Sequence, residues 1–411
     1  MIKLNYHNTQ DIKNSDFENK YKLLDQKIDS VIKELKALNI VFDNNLLKET
    51  ITKTKNFAKD KKTFVVLGTG GSNLGARALV NILDKSFDKN VYFYDNIDPI
   101  NFEKSLRSFN IKDTGFVVIS KSGSTPETLS QLGAVIQIAS EHNMLEDLYS
   151  NFLFITEFKS SPLFNIAKKN QSMLLEHNKD IGGRYSVFSN VGIVPAILAG
   201  LDTIEIHNGA KEIINNYPHY ECSRLARLFK DQVNTGFSSS ILMTYSDNLY
   251  FFGKWYLQLW AESIGKDKKG ITPIHSVGTT DQHSQLQLYL QGPSDKFFSF
   301  ITTDHYNKGL KINNDTMLDA GVEYLVNKKM GDLMEAEQQA TIQTFINNGF
   351  KIRNIHLPKI NAFSIGSLMA LSIIETIAAC IYFDVNPFDQ PAVEEGKVLT
   401  KEYLLKQFNK T

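Results

Sequence analysis

The chain has 411 residues and equal numbers of basic and acidic side chains, 45 of each, so its formal net charge is zero. This balance excludes a strongly basic protein of the kind that binds nucleic acid or an anionic membrane, so a phosphate-binding site has to be local. Two cysteines are too few for a disulfide framework or a cysteine metal site. The polar residues 1–20 predict neither a secretory signal nor a transit peptide and favour a cytoplasmic protein.

The predicted elements begin with a helix over residues 16–38, where apolar side chains recur at three- and four-residue spacing. From residue 63 onward, short apolar runs alternate with helical stretches. The first series of predicted strands covers residues 63–68, 91–96, 115–120, 151–156 and 172–177. After a helical stretch over 207–235, the second series covers residues 238–246, 271–278, 296–302 and 352–358. We interpret the apolar stretch 364–383, which contains Glu375, as a buried core helix rather than a membrane span.

Alternation of strands and helices is typical of doubly wound parallel sheets with helices on both faces. Two series of strands therefore predict an α/β protein with two such sheets. We expect an N-terminal helical segment (residues 1–50), a first α/β domain (51–205) and a second α/β domain with C-terminal helices (206–411). No low-complexity linker separates the domains, so we expect them to pack together.

The sequence GTGGSNLG at residues 68–75 directly follows the first predicted strand. Gly71 would let the backbone approach a ligand closely, and Ser72 would offer a hydroxyl. A dinucleotide site is one interpretation, because Asp95 ends the next strand where a ribose-binding acid would stand. The glycine spacing counts against it, since Asn73 occupies the position of the last glycine. A sugar-phosphate site or a structural turn would also fit these residues.

The sequence SKSGST at residues 120–125 joins a predicted strand to a predicted helix. Thr125 is the expected N-cap of that helix, whose free N–H groups and positive dipole end would attract an anion. The hydroxyls of Ser120 and Ser122 would add donors, and Lys121 adds a cation. The loop therefore predicts a phosphate-binding site, with an ordinary polar turn as the alternative.

Two charged side chains are predicted to lie in apolar surroundings. Arg184 follows two glycines in IGGRYSVF, which indicates a fixed cation beside a backbone that a substrate can approach. Gln258 and Glu262 share one face of an aromatic helix over residues 248–266, where Glu262 is a candidate general base. A surface salt bridge for Arg184 and a solvent-facing position for Glu262 are the alternatives.

Three more polar residues follow in the second half. His283 lies in the loop GTTDQHSQ after a predicted strand, which is where α/β proteins build their sites. Gln390 and Lys397 belong to FDQPAVEEGK, which follows the apolar helix. A structural or surface role is the alternative for His283 and Lys397.

Taken in order, the segments GTGGSNLG, SKSGSTPET, GGRYSVFS, QLWAESIGK, GTTDQH and FDQPAVEEGK resemble those of the glucose-6-phosphate isomerase family. The resemblance implies two stacked sugar isomerase (SIS) domains. It also implies interconversion of glucose 6-phosphate and fructose 6-phosphate through a cis-enediol, with no metal and no cofactor. The resemblance also implies a homodimer in which His283 reaches the site of the neighbouring subunit.

The resemblance further implies a role for each candidate residue. Glu262 would carry the proton between C1 and C2, and Arg184 would stabilise the enediolate charge. His283 and Lys397 would open the sugar ring. The phosphate would be held by residues of the two loops: Gly71, Ser72, Ser120, Lys121 through its backbone, Ser122 and Thr125. The substrate hydroxyls would be contacted by Gln258 and Gln390.

Two further functions stay open at this point. A non-catalytic SIS protein that binds a sugar phosphate would not need Glu262, His283 and Lys397 together. A nicotinamide-dependent oxidoreductase would use residues 68–75 and Asp95, but the broken glycine spacing counts against it.

Overall fold

The computed structural model describes residues 2–9, 15–82, 90–144, 148–216, 219–233 and 236–408, without the side chains of 15–21, 219–222, 231–233 and 407–408. Its strands are β1 (Lys3–His7), β2 (Thr63–Leu67), β3 (Asn90–Tyr94), β4 (Thr114–Ile119), β5 (Phe152–Thr156), β6 (Met173–Glu176), β7 (Ser239–Thr244), β8 (Thr272–Val277), β9 (Lys296–Thr303) and β10 (Ile352–Leu357). All nine strands predicted from the sequence are present, and β1 is an addition.

The described helices separate most of these strands, as expected. In the first half they are α1 (Ser15–Glu34), α2 (Lys36–Asn39), α3 (Asn44–Phe57), α4 (Leu74–Val80), α5 (Pro99–Leu106), α6 (Pro126–Glu141), α7 (Pro162–Lys169), α8 (Asn190–Leu198) and α9 (Thr203–Asn216). In the second half they are α10 (His219–Val233), α11 (Tyr250–Ile264), α12 (Leu286–Gln291), α13 (Asn314–Asp319), α14 (Met330–Asn347), α15 (Ala362–Phe383) and α16 (Glu394–Phe408).

Two predicted helices are each divided in two. The helix predicted over 16–38 is α1 followed by α2, because the backbone of Leu35 is extended between them. The stretch predicted over 207–235 is α9 followed by α10, and its residues 217–218 and 234–235 lie outside the described part of the chain. Apolar spacing continues across Leu35, so periodicity alone did not reveal that break.

The first sheet is fully parallel, with the strand order β3-β2-β4-β5-β6. Every residue of β4 and β5 is buried, which explains their continuous apolar sequences TGFVVI and FLFIT. Helices cover both faces of such a sheet, so its strands carry no polar alternation. This arrangement confirms the predicted doubly wound architecture.

The second sheet has the order β1-β10-β9-β7-β8, and its strands β7, β8, β9 and β10 are parallel to one another. Strand β1 pairs with β10 in the antiparallel direction, with Tyr6 opposite Arg353. The expectation of a purely helical segment over residues 1–50 is therefore wrong at its start. The five residues KLNYH show too short an alternation within a polar stretch to predict a strand.

Both sheets place their parallel strands in the same spatial order. In each series the second strand lies outside the first, and the third strand lies on the other side of the first. The connections therefore reverse direction between β2 and β4 in one sheet and between β7 and β9 in the other. Ligand sites of open α/β sheets form at this reversal, beyond the carboxyl ends of the strands.

Helix α15 forms the centre of the largest apolar core and packs against α9, α10 and α11. It is long and apolar enough to cross a membrane, but 94% of its most apolar window is buried inside the protein. Glu375 on this helix is 1% exposed and forms an ion pair with the equally buried Arg353, at 2.5 Å. The interpretation of residues 364–383 as a core helix agrees with this burial.

The predicted domain boundaries fall inside helices. Residues 50 and 51 lie within α3, and residues 205 and 206 lie within α9. The largest core also draws residues from both halves of the chain, including Tyr185 and Trp260. The two sheets are distinct, whereas the division of the chain into domains at these residues stays a prediction.

Candidate active site

Two polar loops lie at the carboxyl ends of neighbouring strands in the first sheet. One is the glycine turn, residues 70–72, which follows β2, and the other is the hydroxyl loop, residues 120–125, which follows β4. Because β2 and β4 pair directly, with Val66 opposite Val117, the two loops meet where the strand order reverses. The sheet thus brings together the two loops that the sequence predicted as anion-binding.

The hydroxyl loop is held in shape by its own side chains. Ser120 Oγ and Thr125 Oγ1 are 2.8 Å apart and share a hydrogen bond, and Ser120 Oγ also accepts from the backbone N–H of Gly123 at 3.1 Å. Thr125 is the N-cap of α6, as predicted, but its side chain makes no capping hydrogen bond. The first N–H groups of α6 therefore lack a side-chain cap from Thr125, which suits an anion at this helix end.

Glycine is required at position 123 of this loop. Its φ is +66°, and a Cβ atom there would lie 2.1 Å from Ser161 Oγ. Ser122 Oγ accepts from the N–H of Ser124 at 3.2 Å. The loop thus turns tightly against the start of α7, and the hydroxyls of Ser120 and Ser122 take part in contacts within the loop.

The glycine turn packs against the arginine turn, a 3-10 helix over Gly183–Phe188. A Cβ atom on Gly71 would lie 2.2 Å from the carbonyl carbon of Gly183, so only glycine allows the two backbones to approach this closely. Ser186 Oγ donates to the carbonyl oxygen of Gly71 at 3.3 Å and to that of Gly183 at 2.7 Å. Gly71 therefore positions Arg184 beside the turn that contains Ser72.

Arg184 is 3% exposed, and acceptors surround its guanidinium. Its Nε donates to Ser263 Oγ at 2.8 Å, and its Nη1 donates to Gln390 Oε1 at 2.8 Å. Its Nη2 donates to the carbonyl oxygens of Pro387 and Asp389. The expectation of a buried, directed arginine is met, and these contacts fix the plane of the cation.

Glu262 lies next to this cation. Its Oε2 is 3.5 Å from Arg184 Nη1, and its Oε1 accepts from Gln258 Nε2 at 2.9 Å. Gln258 and Glu262 share one face of α11, as their spacing predicted. The Glu262 side chain is 31% exposed, so its carboxylate is partly open to solvent while its partners are polar. This differs from the expected apolar surroundings.

One polar atom of the cluster has no partner. Gln258 Oε1 is buried and makes no hydrogen bond to any described residue. A Cβ atom on Gly70 would lie 3.0 Å from Gln258 Nε2, so the amide stands directly beside the glycine turn. Unpaired buried polar atoms are uncommon, and a ligand hydroxyl at this place would satisfy the amide.

The structure brings Gln390 into the cluster through Arg184, but it does not bring in His283 or Lys397. His283 is exposed after the 3-10 turn Thr280–Gln282. Lys397 on α16 is 58% exposed, and its Nζ contacts Glu394 Oε1 at 2.7 Å. Within the described part of a single chain, neither side chain contacts Arg184 or Glu262, so their place at the site stays a prediction.

Sequence reasoning missed two side chains that hold Arg184. Ser263 is fully buried and also shares a hydrogen bond with the hydroxyl of Tyr185, at 2.7 Å. Tyr185 donates to the carbonyl oxygen of Pro387 at 2.9 Å, and burial raises the pKa of its phenol to about 12. The sequence offered no signal for these contacts, since they depend on how α11 packs against the arginine turn.

The acidic residue that a dinucleotide site would use, Asp95, is already paired within the protein. Asp95 forms an ion pair with Arg77 at 3.2 Å, and the Arg77 guanidinium stacks on the ring of Phe251 at 3.8 Å. A ribose would have to compete with Arg77 for the carboxylate. Among the described residues, no three His, Cys, Asp or Glu side chains form a metal-binding group. The donors of the site suit an anion.

Two parallel α/β layers with a hydroxyl-rich loop at the strand reversal define the SIS-type class of phosphosugar isomerase folds. A solved hypothetical protein from Thermus thermophilus superposes with a TM-score of 0.88 and 26% identity, covering 98% of this chain and 100% of that chain. A solved glucose-6-phosphate isomerase from Chlamydia trachomatis has the same fold, with a TM-score of 0.83 and 19% identity, over 99% of this chain and 89% of that chain.

Sequence comparison gives the family. The family model of phosphoglucose isomerase matches residues 42–410. The probable glucose-6-phosphate isomerase of Methanococcus maripaludis is 33% identical over 395 residues, which is 92% of this chain and 87% of that protein. The chain therefore belongs to the phosphoglucose isomerase family.

Proposed function

We propose that this chain interconverts glucose 6-phosphate and fructose 6-phosphate as an aldose–ketose isomerase. The observation that carries the proposal is the Glu262 carboxylate beside the fixed guanidinium of Arg184, next to the glycine turn. The family supports the same reaction. The chain would act in the cytoplasm, in glycolysis and gluconeogenesis, and would need neither metal nor cofactor.

The phosphate anchors the substrate without taking part in the reaction. The N–H groups at the start of α6 and the hydroxyls of Ser120, Ser122 and Thr125 would bind it, together with Ser72 on the glycine turn. Gly71 lets the turn approach closely, and Lys121 contributes its backbone N–H. Binding energy from this remote group orients C1 and C2 beside the carboxylate of Glu262.

Glu262 would carry the proton between the two carbon atoms. It takes the proton from C2 of the open-chain aldose, which leaves a cis-enediolate with its negative charge on O1. A proton then moves from O2 to O1 through the cis-enediol, and Glu262 returns its proton to C1 to form the ketose. Arg184 lies within 3.5 Å of this carboxylate and would stabilise the negative charge that develops on the enediolate oxygens. Gln258 and Gln390 would hold the hydroxyls.

Ring opening would require His283 and Lys397, which we place at the complete site of a homodimer with His283 supplied by the neighbouring subunit. Two exposed sets of apolar side chains support an interface, because large exposed apolar patches mark protein contacts. The set on α16 is Val398, Leu399, Tyr403, Leu404 and Leu405. The set between β9 and the first turns of α14 is Tyr306, Leu310, Leu318, Tyr324, Met330 and Leu333.

The proposal is tested by incubating the purified protein with fructose 6-phosphate in the presence of a chelator and without added cofactor. We expect glucose 6-phosphate to form at about 1–10³ s⁻¹, the usual range for enzymes. A folded protein that binds fructose 6-phosphate without turnover would instead be a non-catalytic sugar-phosphate binder. Micromolar binding of NAD(H) without affinity for fructose 6-phosphate would indicate an oxidoreductase.

A further inference from the structure

The side chain of Lys121 extends from the hydroxyl loop to a neighbouring segment. Its Nζ donates to the carbonyl oxygen of Lys179 at 2.8 Å and lies 3.9 Å from Glu157 Oε1. The side chain is 33% exposed, and burial lowers the pKa of its ammonium despite the nearby Glu157. The cation is thus engaged within the protein.

The backbone of Lys121 is anchored as well. Its carbonyl oxygen accepts from the N–H of Glu157 at 3.2 Å and from Thr156 Oγ1 at 3.3 Å. These contacts fix the start of the hydroxyl loop at the end of β5. The Lys121 ammonium then forms a separate contact between this loop and Lys179, which lies beyond β6.

Lys179 belongs to a hydrogen-bonded run that ends at the arginine turn. The N–H of Asp180 donates to Asn178 Oδ1 at 2.9 Å, and the N–H of Ile181 donates to the carbonyl oxygen of Asn178 at 3.2 Å. The N–H of Tyr185 then donates to the carbonyl oxygen of Gly182 at 3.0 Å. A short segment with its own hydrogen bonds therefore joins Lys179 to the arginine turn.

We propose that Lys121 is a positioning residue, whose ammonium ties the hydroxyl loop to the segment carrying Arg184, so that phosphate binding orders the arginine turn. The inference rests on the proposed function, because it assigns the phosphate to the hydroxyl loop. A tether of this kind would link the anchor of the substrate to the cation that stabilises its reacting end. Catalysis is sensitive to such placement.

Lys159 offers a matched control. Its Nζ contacts the same carboxylate as Lys121, at 2.5 Å from Glu157 Oε2, but its side chain is 59% exposed. Lys159→Met removes the same charge as Lys121→Met without touching the Lys179 carbonyl. In Lys121→Met, Glu157 retains Lys159, so the variant should fold. Lys121→Arg keeps a donor that can reach the carbonyl and serves as the rescue.

The first measurement is hydrogen exchange with inorganic phosphate as the probe, and it does not depend on turnover. In the unaltered protein we expect phosphate to slow exchange of the amides at residues 121–125 and also at 181–186. In Lys121→Met, protection of 121–125 should remain while protection of 181–186 is lost. Lys121→Arg should restore both, and Lys159→Met should behave like the unaltered protein.

The second measurement is kinetic. We expect Lys121→Met to lower kcat by about tenfold, with the inhibition constant of inorganic phosphate within about twofold of the unaltered value. A phosphate inhibition constant raised about tenfold at unchanged kcat would make Lys121 a direct phosphate ligand and overturn the proposal. Unchanged kcat in Lys121→Met together with retained protection of 181–186 would overturn the proposal too.

Absence of turnover in the unaltered protein would refute the isomerase function. The hydrogen-exchange result would still show whether Lys121 links the hydroxyl loop to the arginine turn.

Discussion

Individual residues at this site could be named from the sequence, but their partners could not. Arg184 stood out because two glycines precede it, and Glu262 because it lies on an aromatic helix. The distance of 3.5 Å between Arg184 Nη1 and Glu262 Oε2 depends on the packing of α11 against the arginine turn. The acceptors that hold Arg184 include the carbonyl oxygens of Pro387 and Asp389, and backbone carbonyls have no sequence signature.

A buried histidine near the site is expected to make the stability of the protein depend on pH. His207 on α9 is 3% exposed, and its Nε2 lies 3.2 Å from the carbonyl oxygen of Phe188, at the end of the arginine turn. Burial lowers the pKa of His207 to about 4. The unfolded chain, with the ordinary value near 6.5, therefore takes up the proton first as the pH falls. The contribution of the neutral His207 ring to the unfolding free energy is therefore full above pH 6.5 and decreases between pH 6.5 and 4.

Replacing the His207 side chain tests the predicted direction of this pH dependence. His207→Gln keeps an N–H donor for the Phe188 carbonyl and removes the titration. Between pH 7 and 4.5 the unaltered protein should lose about 2–3 kcal/mol more unfolding free energy than the variant, measured by denaturant unfolding at both pH values. His177, which is also buried with a pKa lowered to about 4, titrates in both proteins and cancels. Identical pH dependence would show that His207 does not act this way.

Most of the elements followed from local pattern. The nine parallel strands were predicted, and buried strands such as β4 and β5 have the strongest local signature because their apolar sequences are continuous. Strand β1 was missed, since its pairing with β10 joins residues about 350 positions apart and adds almost no local pattern. The break at Leu35 was missed because apolar periodicity continues through it.

The close contact between the glycine turn and the arginine turn is expected to matter for both activity and stability. A Cβ atom on Gly71 would meet the backbone of Gly183 at 2.2–2.5 Å, and backbone cannot move aside as a flexible side chain can. Gly71→Ala should therefore push the two turns apart and misplace Arg184. We expect kcat/KM to fall about 10²-fold and the unfolding free energy to fall by about 1–3 kcal/mol.

The control for this substitution lies on α6. A Cβ atom on Gly133 would meet nothing within 4 Å, so Gly133→Ala introduces no clash. It should leave activity unchanged and raise the unfolding free energy by up to about 1 kcal/mol, because alanine favours the helix. Equal kinetics for the two alanine variants would mean that the close approach of the turns does not position Arg184.

For the whole molecule, the two-sheet architecture was predictable, whereas the complete site was not. Alternating strands and helices predict the sheets, but the sequence pattern does not determine which residues come together when copies associate. A single chain assembles Arg184, Glu262, Gln258 and Gln390 and leaves His283 and Lys397 exposed. If His283 acts in the site of a neighbouring subunit, as proposed above, its exposure in a single chain is expected.

Mixing two inactive variants tests the shared site. In a hybrid dimer of a Glu262→Gln subunit and a His283→Ala subunit, one site receives both altered residues and the other receives neither. If His283 crosses the interface, mixed and refolded subunits should regain about a quarter of the unaltered activity, since about half the dimers are hybrids with one intact site. If His283 served its own subunit, every site would carry one alteration and no activity would return.

The most direct test of the proposed mechanism is the turnover of Glu262→Gln, because Glu262 is the proposed carrier of the proton. Glutamine keeps the size of the side chain and one of its two acceptor oxygens, so we expect fructose 6-phosphate to bind within about threefold of the unaltered affinity. The value of kcat should fall by about 10³-fold or more, whereas the exposed control Glu49→Gln, which loses only a surface pair with Lys53, should stay fully active. Near-normal turnover of Glu262→Gln would contradict the account and assign the proton transfer to another group.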